Sequence, residues 1–322
     1  MKLLTHSFSR MTFLLALILL LAAFASIAPA QAQSTPAANT AAWDGHSRFT
    51  ILLMGMDRRP SEQNSLLVRT DAIFLVSLKP GETPQDSRIG ILHIPRDLHF
   101  TPPNSSEFIR VNTLMELGEQ VQAGYGATYA MDVLQYNLGI YIDRYVLFDF
   151  QAFTTLVDAI GGVEITTDYP INDPTYPDMN YGYDPFYLPR GTHVLDGHRA
   201  LQFARTRHSD NDFLRGARQL QLISAIQSQI AQNGLMDDLI RQAPDLYAQL
   251  DGQFYTDLTL NDLIQLALYA HDLPPENLLT DSLDTDYNIS YGLPNGSVVY
   301  IPDRARLIEL LTGVFGTDYT QP

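Results

Sequence analysis

From Phe49 onward, short apolar runs alternate with segments of helical period. Phe49–Met56 (FTILLMGM), Ala72–Lys79 (AIFLVSLK) and Arg88–Ile94 (RIGILHI) are each bounded by turn-forming residues. Runs that stay apolar at consecutive positions predict strands covered on both faces. Thr128–Leu138 and Phe153–Ile160 read as helices flanking a strand at Arg144–Phe150, and Val163–Thr167 follows the Gly161-Gly162 turn as a further strand. Helices are then predicted over Gly197–Ala204, Phe213–Gln232, Leu235–Leu250 and Leu260–His271, with a strand at Val298–Ile301 and a helix at Arg304–Val314. No repeat and no second linker interrupts this alternation. The pattern therefore predicts one α/β domain over residues 48–320, a central sheet flanked by helices on both faces. The exception is Tyr169–Pro189, an irregular loop with five Tyr and five Pro in 21 residues. It suits stacking on sugar rings, a lid, or an excursion packed by its own aromatics.

The first residues follow another logic. Lys2 and Arg10 precede an apolar run from Met11 to Ala28, and Ala30-Gln31-Ala32 has the small-x-small form of a cleavage site. Residues 1–32 thus read as a secretory signal or an uncleaved membrane anchor, exporting the rest of the chain in either case. Residues 33–47, rich at first in Ala, Ser, Thr and Pro, read as a flexible linker.

Composition narrows the function. With 20 Lys and Arg against 36 Asp and Glu, the 322-residue chain carries a net charge of −16, which argues against a nucleic-acid partner. The absence of Cys removes disulfides, thiol nucleophiles and thiolate metal sites. Only Lys2 and Lys79 are lysines, so the other basic residues are all Arg, whose planar fork matches phosphate or carboxylate at two points. Five of them (Arg199, Arg205, Arg207, Arg215, Arg218) fall within 20 residues.

Polar residues collect where predicted strands end. The first strand runs into Gly55-Met56-Asp57-Arg58-Arg59, the second is entered through Arg69-Thr70-Asp71, and the third exits into Pro95-Arg96-Asp97. Ligands of open α/β sheets gather at such ends. In the stretch from Arg205 to Gln219 (RTRHSDNDFLRGARQ), Arg205 and Arg207 are two apart, so an extended backbone would point both the same way. Asp210 or Asn211 can cap the following helix, on which Asp212, Arg215 and Gln219 form one narrow stripe with Arg218 about a quarter turn away. Arginines crowded around a helix start repel one another unless an anion lies between them. Carboxylates beside such an anion call for a bridging cation, and Mg²⁺, with its preference for one or two carboxylates plus phosphate oxygens, fits Asp57 and Asp71. His193 and His198 lack partner ligands and read as ordinary surface residues.

The ordered motifs GMDRR, RTD, IPRD, RVN and RTRHSDNDFLRGARQ closely resemble the extracytoplasmic domain of LytR-CpsA-Psr proteins, from about Phe49 to Ile230 with an echo over Ser297–Val314. The resemblance implies an envelope enzyme that moves a glycan phosphate from a polyprenyl pyrophosphate carrier, at the membrane surface, onto a wall acceptor such as peptidoglycan. By motif, Asp57 and Asp71 fall at the family's Mg²⁺-associated aspartates. Arg69, Arg96, Arg205, Arg207 and Arg218 fall where it grips pyrophosphate, and Asp97, Asp212, Arg215 and Gln219 where it organises the site. Asp97 or Asp71 is the expected general base. The family's lipid tail occupies an apolar tunnel, for which Thr128–Leu138 and Phe153–Ile160 are the candidate linings. Three departures stand out: Leu114-Met115-Glu116-Leu117-Gly118-Glu119 replaces the small residues that follow the Asn of RVN in the family, no Lys occurs after Asp97, and a cleavable-looking leader is less typical of the family than an anchor helix. The same site with water as acceptor would be a lipid pyrophosphatase, and a wall-polymer binding module without turnover is the non-enzymatic alternative.

Overall fold

The computed structural model describes residues 43–59, 62, 65–206, 212–271 and 273–320. The leader, most of the linker, and the segment 207–211 with Arg207, Asp210 and Asn211 lie outside the described residues. No described helix is long and apolar enough to cross a membrane.

Six strands form the central sheet: β1 (Phe49–Met56), β2 (Thr70–Lys79), β3 (Arg88–His93), β6 (Arg144–Phe148), β11 (Phe254–Thr256) and β12 (Leu278–Ser282), in the order β11-β6-β1-β2-β3-β12. β4 (His99–Phe100) and β5 (Ile109–Arg110) pair beside it, as do β7 (Val163–Thr167) with β10 (Gly191–Leu195), β8 (Ile171–Asp173) with β9 (Phe186–Leu188), and β13 (Asn288–Gly292) with β14 (Val298–Pro302). The sheet is mixed. β1 is antiparallel to β2 and parallel to β6, β2 is antiparallel to β3, and β12 joins β3 in parallel.

All eight residues of β1 are buried, as an unbroken apolar run requires. Alternation then divides them between two cores. Ile51, Leu53, Phe74, Val76 and Ile91 enter one core, shared with α3 (Phe150–Ala159), α4 (Gly197–Arg205), α5 (Asp212–Asn233), α6 (Met236–Gln249) and α7 (Leu260–His271). Leu52, Met54, Ile73, Leu75 and Leu92 enter the other, shared with α1 (Leu114–Val121), α2 (Gly126–Leu138) and α8 (Arg304–Phe315). The result is three layers, with helices on both faces of the sheet.

The predicted helices and strands are all present, with small shifts at their ends, but the sheet edges β11 and β12 and the helix α1 were not predicted, and the segment read as an irregular loop, Tyr169–Pro189, contains the paired strands β8 and β9. One further placement differs in its consequence. Arg205 closes helix α4 and does not begin an extended segment, because Thr206 N–H still bonds back to Gln202 O at 2.9 Å.

Candidate functional site

A cavity of about 830 Å³ opens between the sheet and the layer formed by α3, α4 and α5. Its deep end is apolar. Leu53 and Phe74 supply the floor, Phe153 one wall, and Leu222, Ile223 and Ile226 of α5 the other. Leu53, Phe74, Leu222 and Ile226 are 2–3% exposed, so this end is buried among apolar side chains. Small residues make the room. Gly55 pairs with Ala72 across β1 and β2, and both line the cavity. A Cβ on Gly55 would lie 3.1 Å from that of Ala72 and 3.3 Å from the Phe148 ring.

The mouth is charged. Asp57, Arg59, Arg69, Asp71, Arg205 and Arg215 line it, together with Glu116 and Gln219. The β1–β2 register explains how Asp71 arrives there. Gly55 pairs with Ala72 but Met56 pairs with Thr70, so Asp71 is the extra residue of a β-bulge. Regular alternation from the cavity-facing Phe74 and Ala72 would turn Asp71 to the other side of the sheet. The bulge re-aims it. Asp57 is tied to the same corner by its N–H, which donates to Arg69 O at 2.9 Å.

Each carboxylate meets a guanidinium. Arg205 Nη2 lies 3.5 Å from Asp57 Oδ1, and Arg96 pairs with Asp71, whose other oxygen accepts from Asn112 Nδ2 at 3.1 Å. Arg205 is further held by Tyr176 Oη at 3.0 Å and by the Phe150 ring, whose centroid lies 3.9 Å from Cζ. Burial raises the Tyr176 phenol above its ordinary pKa, partly offset by Arg205, so it stays protonated. Phe150 is positioned in turn by Asp149, which caps α3 through Ala152 N at 2.9 Å and holds the buried Arg58 at 2.5 Å. Arg58 of the GMDRR motif therefore anchors helix α3, while its neighbours Asp57 and Arg59 line the cavity.

The predicted site residues separate into three groups. Asp57, Arg69, Asp71, Arg205, Arg215 and Gln219 converge on the cavity. Arg96 and Asp97 stand behind it: Arg96 reaches in through Asp71, and Asp97 lies 3.5 Å from Arg110 and 3.8 Å from Arg96. Arg218 departs from the expected anion contact. It is buried, does not line the cavity, and donates to the carbonyl oxygens of Phe203 and Thr206 at the end of α4. Those terminal carbonyls have no partner within their helix, so Arg218 holds α4 and α5 together and leaves Arg205 and Arg215 on the cavity side. Arg207 lies outside the described residues, as does the side chain of Asp212.

Of the two helices expected to line an apolar tunnel, one contributes to this cavity. Phe153 is part of the cavity, but α2, the helix of Thr128–Leu138, packs on the opposite face of the sheet. Its partner in lining is α5. The replacement Leu114–Glu119 forms most of α1 and places Glu116 at the mouth, 4.0 Å from Arg69. His193 and His198 bond to Pro189 O and Asp184 respectively and take no part in the site. Pattern reading missed Asp173, buried at the cavity wall with Thr206 Oγ1 donating to it at 2.7 Å, and Tyr176. The signal for both was the Tyr- and Pro-rich composition of their loop.

One buried histidine supports the site from below. His93 is fully buried, and burial first, then the nearby Arg215 charge, depresses its pKa to about 3. Neutral, it shares a 2.9 Å hydrogen bond between Nδ1 and Ser282 Oγ. A Cβ at Gly216 would fall 2.4 Å from His93 Cε1, so only glycine lets α5 settle on the sheet beside Arg215.

Magnesium is held by oxygen donors. Asp57 and Asp71 offer carboxylates at one corner of the cavity, and the buried Gln219 Oε1, also at the cavity, has no hydrogen-bond partner. This donor set fits the ion. No group of three or more carboxylate or imidazole ligands occurs among the described residues, so a cation here would need oxygens from a bound phosphate.

An α/β scaffold with a cavity that is apolar within and charged at its mouth defines the class of protein. The chain belongs to the LytR_cpsA_psr family, whose model matches residues 22–314. Among individual relatives, it is 31% identical over 186 residues to the polyisoprenyl-teichoic acid–peptidoglycan teichoic acid transferase TagT of Bacillus subtilis (strain 168), covering 56% of this chain and 52% of that one. It is 24% identical over 222 residues to the transferase TagU of Bacillus licheniformis, covering 68% and 63%. The matches thus span between about half and two thirds of the length of these relatives. The crystal structure of B. subtilis TagV superimposes with a TM-score of 0.63 at 21% identity, over 85% of this chain and 98% of that one, which shows the shared fold.

Proposed function

We propose that this protein transfers a glycan phosphate from a polyprenyl pyrophosphate carrier to a hydroxyl of a cell-wall polymer such as peptidoglycan. The observation that carries the reading is a cavity whose buried end is apolar and whose mouth gathers Arg69, Arg205 and Arg215 with Asp57 and Asp71. A polyprenyl chain matches the first part and a diphosphate the second. The names of the TagT and TagU relatives, both transferases of polyisoprenyl-linked polymers to peptidoglycan, support the same class of reaction.

In this reading an acceptor hydroxyl attacks the phosphorus that bears the glycan. A new P–O bond forms, the diphosphate P–O bond breaks, and polyprenyl phosphate leaves while the hydroxyl proton passes to a carboxylate at the mouth. Asp71 and Asp97 are the two candidate bases: Asp71 lines the cavity with its oxygens engaged by Arg96 and Asn112, and Asp97 stands behind it beside Arg96 and Arg110. Arg205 and Arg215 neutralise charge developing on the phosphoryl oxygens. Preorganised cations do so without reorganising at the moment of reaction. Magnesium held by Asp57 and Asp71 would add Lewis-acid neutralisation of those oxygens when bound. Glu116 repels a diphosphate unless Arg69 stays paired with it, which keeps Arg69 at the edge of the site. The secretory signal or membrane anchor expected over residues 1–32 supports a reaction outside the cytoplasm.

The test incubates the purified protein with a lipid-linked glycan donor, with and without peptidoglycan. Glycan joined to peptidoglycan is the expected product. Free glycan phosphate formed equally in both reactions would instead establish a hydrolase, and saturable binding without turnover a binding module. Mg²⁺ is expected to raise the thermal midpoint in the presence of inorganic pyrophosphate, and Asp57→Asn to weaken that shift.

A further inference from the structure

The loop at the cavity mouth carries an aromatic ring in an unusual setting. Within Tyr169–Pro189, residues 177–183 form a tight hairpin, closed by a bridge between Pro177 and Tyr183 and by Asp178 N–H donating to Gly182 O at 3.2 Å. Asp178 Oδ1 accepts from the N–H groups of Asn180 and Gly182, each at 2.8 Å. This side-chain clasp holds Met179 (φ 67°) and Tyr181 (φ 68°) in the left-handed region. Residues with a Cβ rarely adopt that backbone, and such strain persists only where the surroundings over-determine it.

The hairpin is docked on the site. Arg205 donates to Tyr176 Oη and lies 3.3 Å from Met179 Sδ, and the Arg59 guanidinium stands 4.5 Å from the centroid of the Tyr181 ring. Met179 and Tyr181 line the same cavity as Asp57 and Arg205. Yet Tyr181 is 90% exposed. A strained backbone and a clasp thus present a large ring to solvent, and its burial in a core explains nothing about it.

We propose that Tyr181, with Arg59 against it, is the subsite for the first sugars of the donor glycan, stacking on the C–H face of a pyranose ring. The argument rests on the proposed function and on the order of groups in the donor. A carrier lipid runs tail, diphosphate, sugar. With the tail against Leu222 and Ile226, at the buried apolar end, and the diphosphate on Arg205 and Arg215, the sugar emerges at the rim, where Tyr181 stands. An aromatic face covers the apolar side of a pyranose, and Arg59 supplies donors to its hydroxyls.

The test compares binding of two probes, geranylgeranyl pyrophosphate and the same lipid pyrophosphate carrying a disaccharide. The wild type is expected to bind the sugar-bearing probe more tightly. Tyr181→Ala should weaken that probe about tenfold and leave the sugarless one within about twofold, while Tyr181→Phe retains both affinities. Retained binding of the sugarless probe shows that the variant is folded. Equal loss on both probes, loss on neither, or a wild type indifferent to the sugar overturns the subsite and leaves the proposed function standing. A wild type that binds neither probe overturns that function and the subsite together.

Discussion

Replacing Arg205 by alanine separates chemistry from folding. The side chain donates hydrogen bonds to Tyr176 Oη and Met179 Sδ, forms an ion pair at 3.5 Å with Asp57 and stacks on Phe150, and it is 19% exposed. Stacking of a partly desolvated guanidinium contributes about 1–2 kcal/mol, and the exposed carboxylate of Asp57 limits its ion pair to about 1 kcal/mol at most. The Tyr176 hydroxyl is left to water or a neighbour. Arg205→Ala should therefore cost about 1–3 kcal/mol of stability. A domain with about 5–15 kcal/mol to lose remains folded after that. The effect on transfer is larger in kind. Removing one preorganised donor from a developing charge typically lowers the rate ~10²–10³-fold. The assay is single-turnover transfer from a lipid-linked donor to peptidoglycan, run beside thermal denaturation. The expected result is a rate reduced at least about a hundredfold in a protein that still melts cooperatively. Arg205→Lys, which keeps the charge but loses the fork, should fall between. A rate within about threefold of wild type would show that no charge develops beside Arg205, and the proposed site would fall with it.

Three further outcomes follow from the geometry. Arg218→Ala should destabilise the protein by about 1–3 kcal/mol per unsatisfied carbonyl, read by urea unfolding, because Phe203 O and Thr206 O lose a buried donor. A loss of activity without a loss of stability would return Arg218 to the pyrophosphate-binding residues. Ala72→Leu should fill the narrow point opposite Gly55, abolishing binding of a long-chain polyprenyl pyrophosphate while inorganic pyrophosphate still binds; unchanged lipid binding would place the tail elsewhere. His93→Gln should change the pH dependence of stability. The folded pKa of about 3 lies below the unfolded value near 6.5, so the unfolded state gains a proton first and wild-type stability falls as pH drops below 6.5. Over that window, wild-type stability should fall by about 1.4 kcal/mol per pH unit more than that of the variant. Asp143, raised by burial to about 6, acts in the opposite direction in both proteins and cancels in the comparison. Parallel stability curves would refute the buried neutral histidine.

Most of the architecture was legible in the residues. Short continuous apolar runs bounded by turn residues, such as Phe49–Met56, suit strands covered on both sides, and the two cores fill from alternate positions of those runs. The strand-end motifs were legible too, because carboxylates and guanidinium groups interrupt such apolar runs, although Asp71 proved to lie inside β2 at a bulge. What each polar residue does was not. Arg215 and Arg218 are three apart on one helix, yet one lines the cavity and the other holds the end of α4. Which carbonyls lie unsatisfied nearby decides this, and that depends on how two helices meet.

The sequence by itself thus determined the layered α/β fold, the exported character of its leader as an expectation, and the pool of residues from which a site is drawn. Tertiary structure alone decided the cavity. Gly55 and Ala72 open it only because they pair across β1 and β2, Asp71 enters it through a bulge, and α5 rather than α2 walls it. The physical reason is the same in each case. Periodicity is a local property and selects faces, whereas empty space between faces is created by partners far apart in the chain, whose meeting no local pattern records.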